Sequence, residues 1–386
     1  MERINAWKTY ENKDKKELEQ LNQDYIEFLS VGKTERECVK ETIRQAEQNG
    51  YQPLEEVLKK GEKLQKGDNV SAADLNKTIA LFQIGEKTED PVFCVTDLLN
   101  HLAGAQMEKK AAKVIEGEKL DILVGSMPLK DEEKDAVKAG VLAILKENYG
   151  MEEDDFMSAE LEVVPAGRAR EMGFDRSMIM SYGQDDRVCA YTSLAAMLEA
   201  KDVDKTACCL LVDKEEIGSV GATGMQSHFF ENVVAELLNL QGDYSDLKLR
   251  RCMAASRMLS SDVNAAYDPL FADAFEKRSA SFMGRGVVFS KFTGSRGKSG
   301  SNDANAEYLA ALRRIMDDNG VNYQMAELGK VDIGGGGTIA YILSLYGMEV
   351  IDSGVAVLNM HAPWEVTSKA DVYEAYKCYK AFLKDA

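Results

Sequence analysis

The sequence predicts an α/β fold in which helices cover both faces of a sheet. From residue 167 to the C-terminus, short apolar segments typical of strands alternate with longer segments of helical periodicity, and this alternation favours a layered α/β domain. The chain has 386 residues, which is enough for two domains or for one large domain with an insertion. Apolar residues make up 45% and charged residues 29% of the chain, a balance typical of globular proteins.

The first part of the chain, residues 1–66, is predicted to be helical. Thr34 and Glu37 have the spacing of a capping box, in which each side chain binds the backbone N–H of the other residue. We expect the helix that begins there to end near Gly50, because glycine commonly follows a helix C-terminus. A short strand is predicted at 78–83, and a polar connector follows at 85–91.

The rest of the chain is predicted to be mixed helix and strand. Between 92 and 166, the pattern favours a helix at 130–148 and an alternating strand at 159–164. Beyond residue 167, strands are predicted at 206–212, 287–292 and 355–360. The helices predicted in the same region are 188–200, 229–240, 305–316, 338–346 and 370–383.

Charge and cysteine content restrict the function classes. The formal net charge of −18 argues against nucleic acid and anionic membranes as partners, because both would repel the chain. No apolar run approaches the roughly 20 residues of a membrane span, and the N-terminus lacks the apolar segment of a signal peptide. Seven cysteines without a Cys-Xaa-Xaa-Cys pair indicate reduced thiols and a cytoplasmic protein.

Two adjacent carboxylates, Glu215 and Glu216, follow the strand predicted at 206–212. Neighbouring carboxylates repel each other, and burial penalises their charge. A divalent metal ion is the strongest candidate to offset that repulsion. One carboxylate could then bind the metal while the other handles the proton of a water molecule. A solvated loop is the alternative interpretation.

Three further segments place acidic or imidazole side chains after strand-like or turn-like sequence. Ligands in α/β sheets collect beyond the carboxyl ends of strands, and Asp, Glu and His together suit zinc, manganese or cobalt. Asp185 and Asp186 could instead cap a helix, and His361 could be a hydrogen-bonded structural histidine. The candidate residues in these segments are Asp185, Asp186, Asp262 and His361.

Two further segments are candidates for substrate binding. Gly335 and Gly336 belong to a run of four glycines, which could bind an anion through backbone N–H groups or form a tight turn. Arg296 and Lys298 are basic residues in an acidic chain, and they could hold a substrate carboxylate or lie in a surface loop.

Taken together, these motifs resemble the zinc aminopeptidases of the aspartyl aminopeptidase / aminopeptidase I family. The similarity runs from about residue 90 to the C-terminus and is also visible in residues 1–66. The order and spacing of the motifs are specific, although each motif alone is weak. The matching segments are Tyr182–Arg187, Asp213–Ser219, Ser261–Asp262 and Met360–Ala362.

The resemblance implies a metal-dependent aminopeptidase that releases N-terminal residues from peptides. Asp185 would bridge two metal ions, Glu216 and His361 would complete the first site, and Asp262 would bind the second metal. Glu215 would be the general base. The resemblance also implies zinc, with manganese or cobalt as alternatives, and large homo-oligomers. Acidic N-terminal residues are one candidate preference, with Arg296 or Lys298 as partners.

The chain departs from the family in one respect. Family members carry a His-Xaa-Asp motif after an early strand, and no such motif follows residues 78–84. Several dozen family residues are expected to be absent there, which would leave the second metal with two ligands. The alternatives are therefore one or two bound ions, a ligand supplied by a partner subunit, or a catalytically impaired scaffold or assembly protein.

The missing segment also shapes the predicted domain organisation. Residues 1–84 are predicted to form the N-terminal part of the catalytic domain, and 167–386 its metal-binding part. Residues 85–166 would be the remnant of an inserted domain that mediates dimer contacts in the family.

Overall fold

The computed structural model describes residues 4–60, 69–73, 93–201, 203–294, 300–330, 332, 335 and 339–386. The chain divides into two compact units: Met1–Asn76 with Gly167–Ala386, and Lys77–Ala166. Several predictions fall outside the described residues, namely the strand at 78–83, the connector at 85–91 and the substrate contacts of Arg296, Lys298 and Gly336.

The N-terminal segment of the larger unit is mostly helical, as the sequence predicts. Its helices are α1 (Asn12–Val31), α2 (Glu35–Gln48) and α3 (Leu54–Lys60), and two short parallel strands are β1 (Gln52–Pro53) and β2 (Val70–Ser71). The predicted capping box is confirmed, since the Glu37 N–H donates to Thr34 Oγ1 (3.3 Å) and the Thr34 N–H donates to Glu37 Oε2 (3.0 Å).

The smaller unit has short elements, which are β3 (Cys94–Val95), α4 (Gly104–Met107), β4 (Ile122–Leu123) and α5 (Ala136–Tyr149). The helix predicted at 130–148 begins later than expected, because Asp131 and Asp135 have positive φ angles of 66° and 51°. The strand predicted at 159–164 is wrong. Its apolar residues Leu161 and Val163 are 43% and 62% exposed, so the alternation does not mark a buried face.

The C-terminal part of the larger unit contains most of the strands. They are β5 (Arg170–Met172), β6 (Met178–Ser181), β7 (Arg257–Ser261), β8 (Asn264–Ala265), β9 (Val287–Ser290), β10 (Tyr323–Met325), β11 (Glu349–Gly354), β12 (Ala356–Leu358) and β13 (Glu365–Ser368). The helices are α6 (Gln184–Glu199), α7 (Phe229–Leu240), α8 (Asp246–Ala254), α9 (Ala306–Asp318), α10 (Ala340–Ser344) and α11 (Lys369–Asp385).

These strands form two mixed sheets. The first has the order β10-β9-β11-β7, in which only the β9–β11 pair is antiparallel. The second has the order β5-β6-β13-β12-β8, in which only the β12–β8 pair is parallel. Because β11 ends at Gly354 and β12 begins at Ala356, one extended segment passes from the first sheet to the second.

Helices cover both faces of the first sheet, so the predicted α/β fold is confirmed. Successive strand residues point to opposite faces. Ile351 of β11 packs in a core with residues of α1, α6, α9 and α11, whereas its neighbour Val350 packs in a second core with residues of α7, α8 and α10. Burial of these two apolar clusters is the main favourable term in folding. None of the helices in the described ranges combines the length and apolar character needed to cross a bilayer.

The individual elements of this part agree with the sequence to different degrees. The five predicted helices correspond to α6, α7, α9, α10 and α11, and the strands at 287–292 and 355–360 contain β9 and β12. The strand predicted at 206–212 is wrong, since only Asp213 makes an isolated bridge, to Gly224. Leu210 and Val212 instead pack against the second core.

Candidate metal centre

Asp185 lies where β6 ends and α6 begins. Gly183, just before it, has a φ of 64°, and a β-carbon there would collide with the Arg187 guanidinium group. Glycine tolerates both conditions because it has no side chain. Asp185 itself is not helical (φ −82°, ψ 111°), and its peptide bond to Asp186 is cis. Only 9% of the Asp185 side chain is exposed.

Glu215 and Glu216 lie in a single 3₁₀ turn, Glu215–Ile217. The residues on either side, Lys214 and Gly218, have positive φ angles of 71° and 91°. Asp213 holds the start of the turn, because its carboxylate accepts hydrogen bonds from the Lys214 N–H (2.7 Å) and the Thr223 hydroxyl (3.0 Å). The two adjacent acids therefore project from a fixed turn.

Asp262 directly follows β7. Its N–H donates to the Ser353 carbonyl oxygen of β11 (3.0 Å), and its Oδ1 accepts from the Val263 N–H (2.7 Å). Gly354 lies against the Asp262 carbonyl oxygen so closely that a β-carbon there would overlap it. A glycine at this position therefore permits the close approach of the two segments.

His361 lies in the turn between β12 and β13. Both His361 and Asn359 have positive φ angles, 65° and 58°, and the Ala362 N–H donates to the Asn359 carbonyl oxygen (2.9 Å). The Nε2 atom of His361 lies 3.1 Å from Asp185 Oδ2 and 3.4 Å from Glu216 Oε1. Three segments that are distant in the sequence therefore meet at one point.

The donor atoms at this point suit a zinc ion. Asp185, Glu216 and His361 each offer one ligand atom, and these atoms all lie within 4.8 Å of one another. Catalytic zinc sites commonly use three protein ligands from His, Glu and Asp and keep a fourth position open. The residue types and their convergence therefore fit the metal.

The electrostatics of the cluster point to the same conclusion. Burial, followed by the charges of Asp262 and Glu216, raises the pKa of Asp185 to about 9. Burial and the charge of Asp262 also raise the pKa of Glu215 to about 8 and that of Asp186 to about 7. Burial raises the pKa of Asp262 as well. These acids can be ionised together only at a large cost, which a divalent cation would offset.

Glu365 also contacts this centre, although the sequence did not single it out. It begins β13 and is 2% exposed. Its Oε2 accepts from the Asp185 N–H (2.9 Å), and its Oε1 accepts from the His361 N–H (2.8 Å). The available sequence signal is a glutamate four positions after His361, at the start of the short strand Glu365–Ser368, and this signal is weak without the fold.

Among the four residues predicted to contact substrate, Gly335 is the one that the structure describes. Its φ is 95°, and its N–H donates to the Leu328 carbonyl oxygen (2.9 Å). This N–H is therefore occupied within the chain, which fits the tight-turn alternative.

The chain resembles known peptidases over nearly its whole length. A family model described as aminopeptidase I zinc metalloprotease (M18) matches residues 73–383. A probable M18 family aminopeptidase 1 from Clostridium acetobutylicum is 50% identical over 455 positions, covering 99% of this chain and 98% of the relative. The crystal structure of an M18 aminopeptidase from Thermotoga maritima matches with a TM-score of 0.90 and 35% identity, covering 100% of both chains.

A more distant likeness concerns the fold alone. The mApe1 dodecamer of Saccharomyces cerevisiae matches with a TM-score of 0.65 and 18% identity, covering 94% of this chain and 96% of that chain.

The Clostridium alignment also shows that this chain is shorter than its relative in the interior. The alignment has 455 positions and the chain has 386 residues, so at least 69 positions contain no residue of this chain. Internal segments of that relative are therefore absent here, in agreement with the prediction that several dozen residues are missing. The location of the gap near residue 85 stays a prediction.

The family model matches most of the chain, and the 50% identity extends over 99% of it. Both matches are to aminopeptidases, so neither favours the alternative of an inactive scaffold. The converging Asp, Glu and His donors suit the metal that the family description names. The chain therefore belongs to the M18 family of aminopeptidase I zinc metalloproteases and is a zinc-dependent aminopeptidase that acts on peptides.

Proposed function

We propose that Asp185, Glu216 and His361 hold the catalytic zinc ion and that Glu215 is the general base. The observation that carries this assignment is the convergence of three ligand atoms within 4.8 Å of one another. Glu215 adjoins one of these ligands in the same 3₁₀ turn. Binding of the metal by Glu216 would therefore also fix the position of the base.

In peptide hydrolysis, the metal and Glu215 would have separate roles. Bound zinc supplies a Lewis acid that polarises the scissile carbonyl group and acidifies the attacking water. Glu215 takes a proton from that water as its oxygen bonds to the carbonyl carbon. Glu215 then gives the proton to the amine nitrogen as the C–N bond breaks.

Asp185 and Asp262 are the residues available to a second metal ion. Burial raises the pKa of Asp262, while hydrogen bonds from the Val263 N–H and with the Asp185 side chain, together with the nearby His361, oppose that rise. The hydrogen bond between the two side chains supports a shared role of the two aspartates. Asp185 would bridge the two ions, while Asp262 would bind only the second. Two protein ligands hold a metal more weakly than three, so we expect one tight and one weak site. Manganese or cobalt could replace zinc with the same ligands.

Substrate preference, assembly and location form a second group of proposals. Acidic N-terminal residues are the proposed preference, with Arg296 or Lys298 pairing with the substrate carboxylate and Gly335 and Gly336 close to the site. The chain is proposed to form a homo-oligomer, with residues 85–166 as the remnant of a dimerisation domain. The fold likeness to a dodecamer supports assembly, and the seven free cysteines support a cytoplasmic location.

The test of the assignment separates metal binding from proton transfer. Glu215→Gln is expected to keep the zinc content and to lower peptide hydrolysis by about 10²–10⁴-fold, since it removes the general base. Glu47→Gln, at an exposed position of α2, is the control and should leave both unchanged. Chelator-insensitive release of N-terminal residues, or full activity of Glu215→Gln, would refute the assignment. Hydrolysis rates of peptides that begin with Asp, Leu or Lys test the proposed preference for acidic N-terminal residues.

A further inference from the structure

We propose that Glu365 is a positioning residue that sets the zinc affinity of the centre by holding the backbone of two ligands in place. The inference deepens the proposed ligand set and rests on it. Glu365 acts through the ligands, because each of its carboxylate oxygens accepts a hydrogen bond from the backbone N–H of a proposed ligand.

The two hydrogen bonds link separate parts of the fold. Glu365 Oε2 accepts from the Asp185 N–H at 2.9 Å, in the first turn of α6. Glu365 Oε1 accepts from the His361 N–H at 2.8 Å, in the turn between β12 and β13. One carboxylate therefore sets the spacing between two of the three proposed ligands.

Both ligands need such support, because neither has the backbone conformation of a regular helix or strand. Asp185 has non-helical φ and ψ angles at the start of α6, and His361 has a positive φ angle of 65° in a turn. A residue with positive φ that is not glycine lies in an unfavourable region of backbone conformation. Hydrogen bonds to an ionised carboxylate are stronger than neutral ones, so Glu365 is suited to hold these conformations.

Glu365 is itself held in place on its strand. It pairs with Ser181 of β6 in the antiparallel β6–β13 ladder. Its carbonyl oxygen accepts from Gln184 Nε2 (2.6 Å), and the same amide group donates to the Ile179 carbonyl oxygen (3.1 Å). Gln184 is fully buried and Glu365 is 2% exposed. The backbone of Glu365 is therefore held in the sheet, and burial restricts the motion of its side chain.

The identity of the side chain is also informative. A buried carboxylate near other acids is costly, and glutamine would have the same shape without the charge. A carboxylate, however, accepts a hydrogen bond on each oxygen, whereas an amide group presents one acceptor and one donor. Only the acid can serve both N–H groups at once, which explains a glutamate at this position.

The test measures zinc affinity by competition with a chromophoric chelator, and folding by circular dichroism. Glu365→Gln leaves one ligand N–H without an acceptor and is expected to raise the zinc Kd about 10–100-fold, the usual effect of losing an outer-shell partner. Glu365→Asp keeps the charge but is too short to reach both N–H groups, so a smaller rise is expected.

Asp371→Asn is the matched control. Asp371 is a fully buried carboxylate that likewise accepts from two backbone N–H groups, those of Gly284 and Gly286, at 2.7 Å each. Neither glycine is a proposed ligand. This variant should lower the Tm and leave the zinc Kd unchanged.

The outcomes separate the inference from the ligand assignment. An unchanged zinc Kd in Glu365→Gln, or an equal rise in Asp371→Asn, overturns the positioning role. If both Glu365 variants fail to fold while Asp371→Asn folds, Glu365 is a structural residue and the inference is also overturned. If His361→Ala retains the parent zinc Kd, the ligand set is wrong, and that result does not depend on Glu365.

Discussion

Two groups of charged residues, each built around one largely buried side chain, differ in how their charge is offset. At the start of α11, Lys369 is 2% exposed, and its Nζ lies 2.7 Å from Glu19 Oε1 and 2.5 Å from Glu171 Oε1. In the metal centre, the Nε2 atom of the His361 imidazole lies 3.1 Å from Asp185 Oδ2. In the first group the chain itself supplies two cations for the two glutamates, because Arg176 Nη1 also lies 3.4 Å from Glu171 Oε2. The second group is arranged to be neutralised by a metal ion.

This difference separates structural acids from functional ones. Near α11, Glu374 is fully buried and accepts from the Tyr10 hydroxyl (2.8 Å) and the Asn322 N–H (2.7 Å). Burial of that kind is compensated by hydrogen bonds within the chain. The carboxylates of Asp185 and Glu216 instead point to a shared position with His361. Acids whose donor atoms converge on one position are therefore the stronger functional signal, even though the Glu216 side chain is 61% exposed.

The largest effect is expected from His361→Ala, which removes one of the three proposed ligands. Loss of an outer-shell partner alone typically costs about 10–100-fold in metal affinity, so loss of a ligand should cost at least about 100-fold. Equilibrium dialysis with zinc measures the change, and peptidase activity should fall with it. If the variant binds zinc like the parent, His361 is not a ligand, and the acids of the metal centre are not arranged to be neutralised by zinc as proposed.

Lys369→Met is expected to destabilise the chain without affecting zinc. It leaves Glu19 without its cation and Glu171 with Arg176 alone (3.4 Å), and breaking a buried ion pair costs about 3–5 kcal/mol. Because the Glu19 side chain is 50% exposed, the free energy of unfolding should fall by about 3 kcal/mol or less. Urea unfolding measures the change. A variant as stable as the parent would show that the chain does not depend on internal neutralisation here.

The pH dependence of stability provides a smaller effect, at Asp371. Burial raises the pKa of Asp371 to about 7, with hydrogen bonds from the Gly284 and Gly286 N–H groups opposing the rise. A raised pKa means that the folded chain binds this proton more tightly than the unfolded chain. The contribution of Asp371 to stability is therefore complete below about pH 4 and is lost as pH rises towards 7.

Asp371→Asn should remove that contribution, so the stability difference between the parent and the variant should change between pH 4 and 7. The slope is at most about 1.4 kcal/mol per pH unit. Urea titrations in the presence of chelator measure it, and Glu47→Gln is the control. A difference that does not vary with pH would mean that Asp371 stays ionised throughout this range.

The smallest effect is expected at the surface pair of Lys13 and Glu17, whose atoms lie 3.6 Å apart and whose side chains are 86% and 52% exposed. Exposed pairs contribute about 0.2–1 kcal/mol. Lys13→Ala should therefore change the free energy of unfolding by less than about 0.5 kcal/mol, because an i,i+4 helix pair lies at the low end of that range. A larger fall in the free energy of unfolding would contradict the expectation that exposed ion pairs stabilise this chain less than buried ones.

Local features were predicted well because they depend on neighbouring residues. The capping box of Thr34 and Glu37 spans only four residues, and the helix at 229–240 coincides with α7. The strand at 206–212 was wrong for the opposite reason. An apolar run becomes a strand only when another strand binds its backbone, and a pattern along one chain segment carries no information about that partner.

The sequence by itself determined the alternation of helix and strand, the family, and the residue types available for a metal. Only the tertiary structure decided that Asp185, Glu216 and His361 share one position and that Glu365 links the backbone of two of them. Secondary structure follows from interactions within a few residues, whereas the meeting of distant side chains follows from how the sheets pack and turn. For a site built from the ends of separate strands, the sequence therefore predicts which residue types are available. The distances between them are set only when the chain folds.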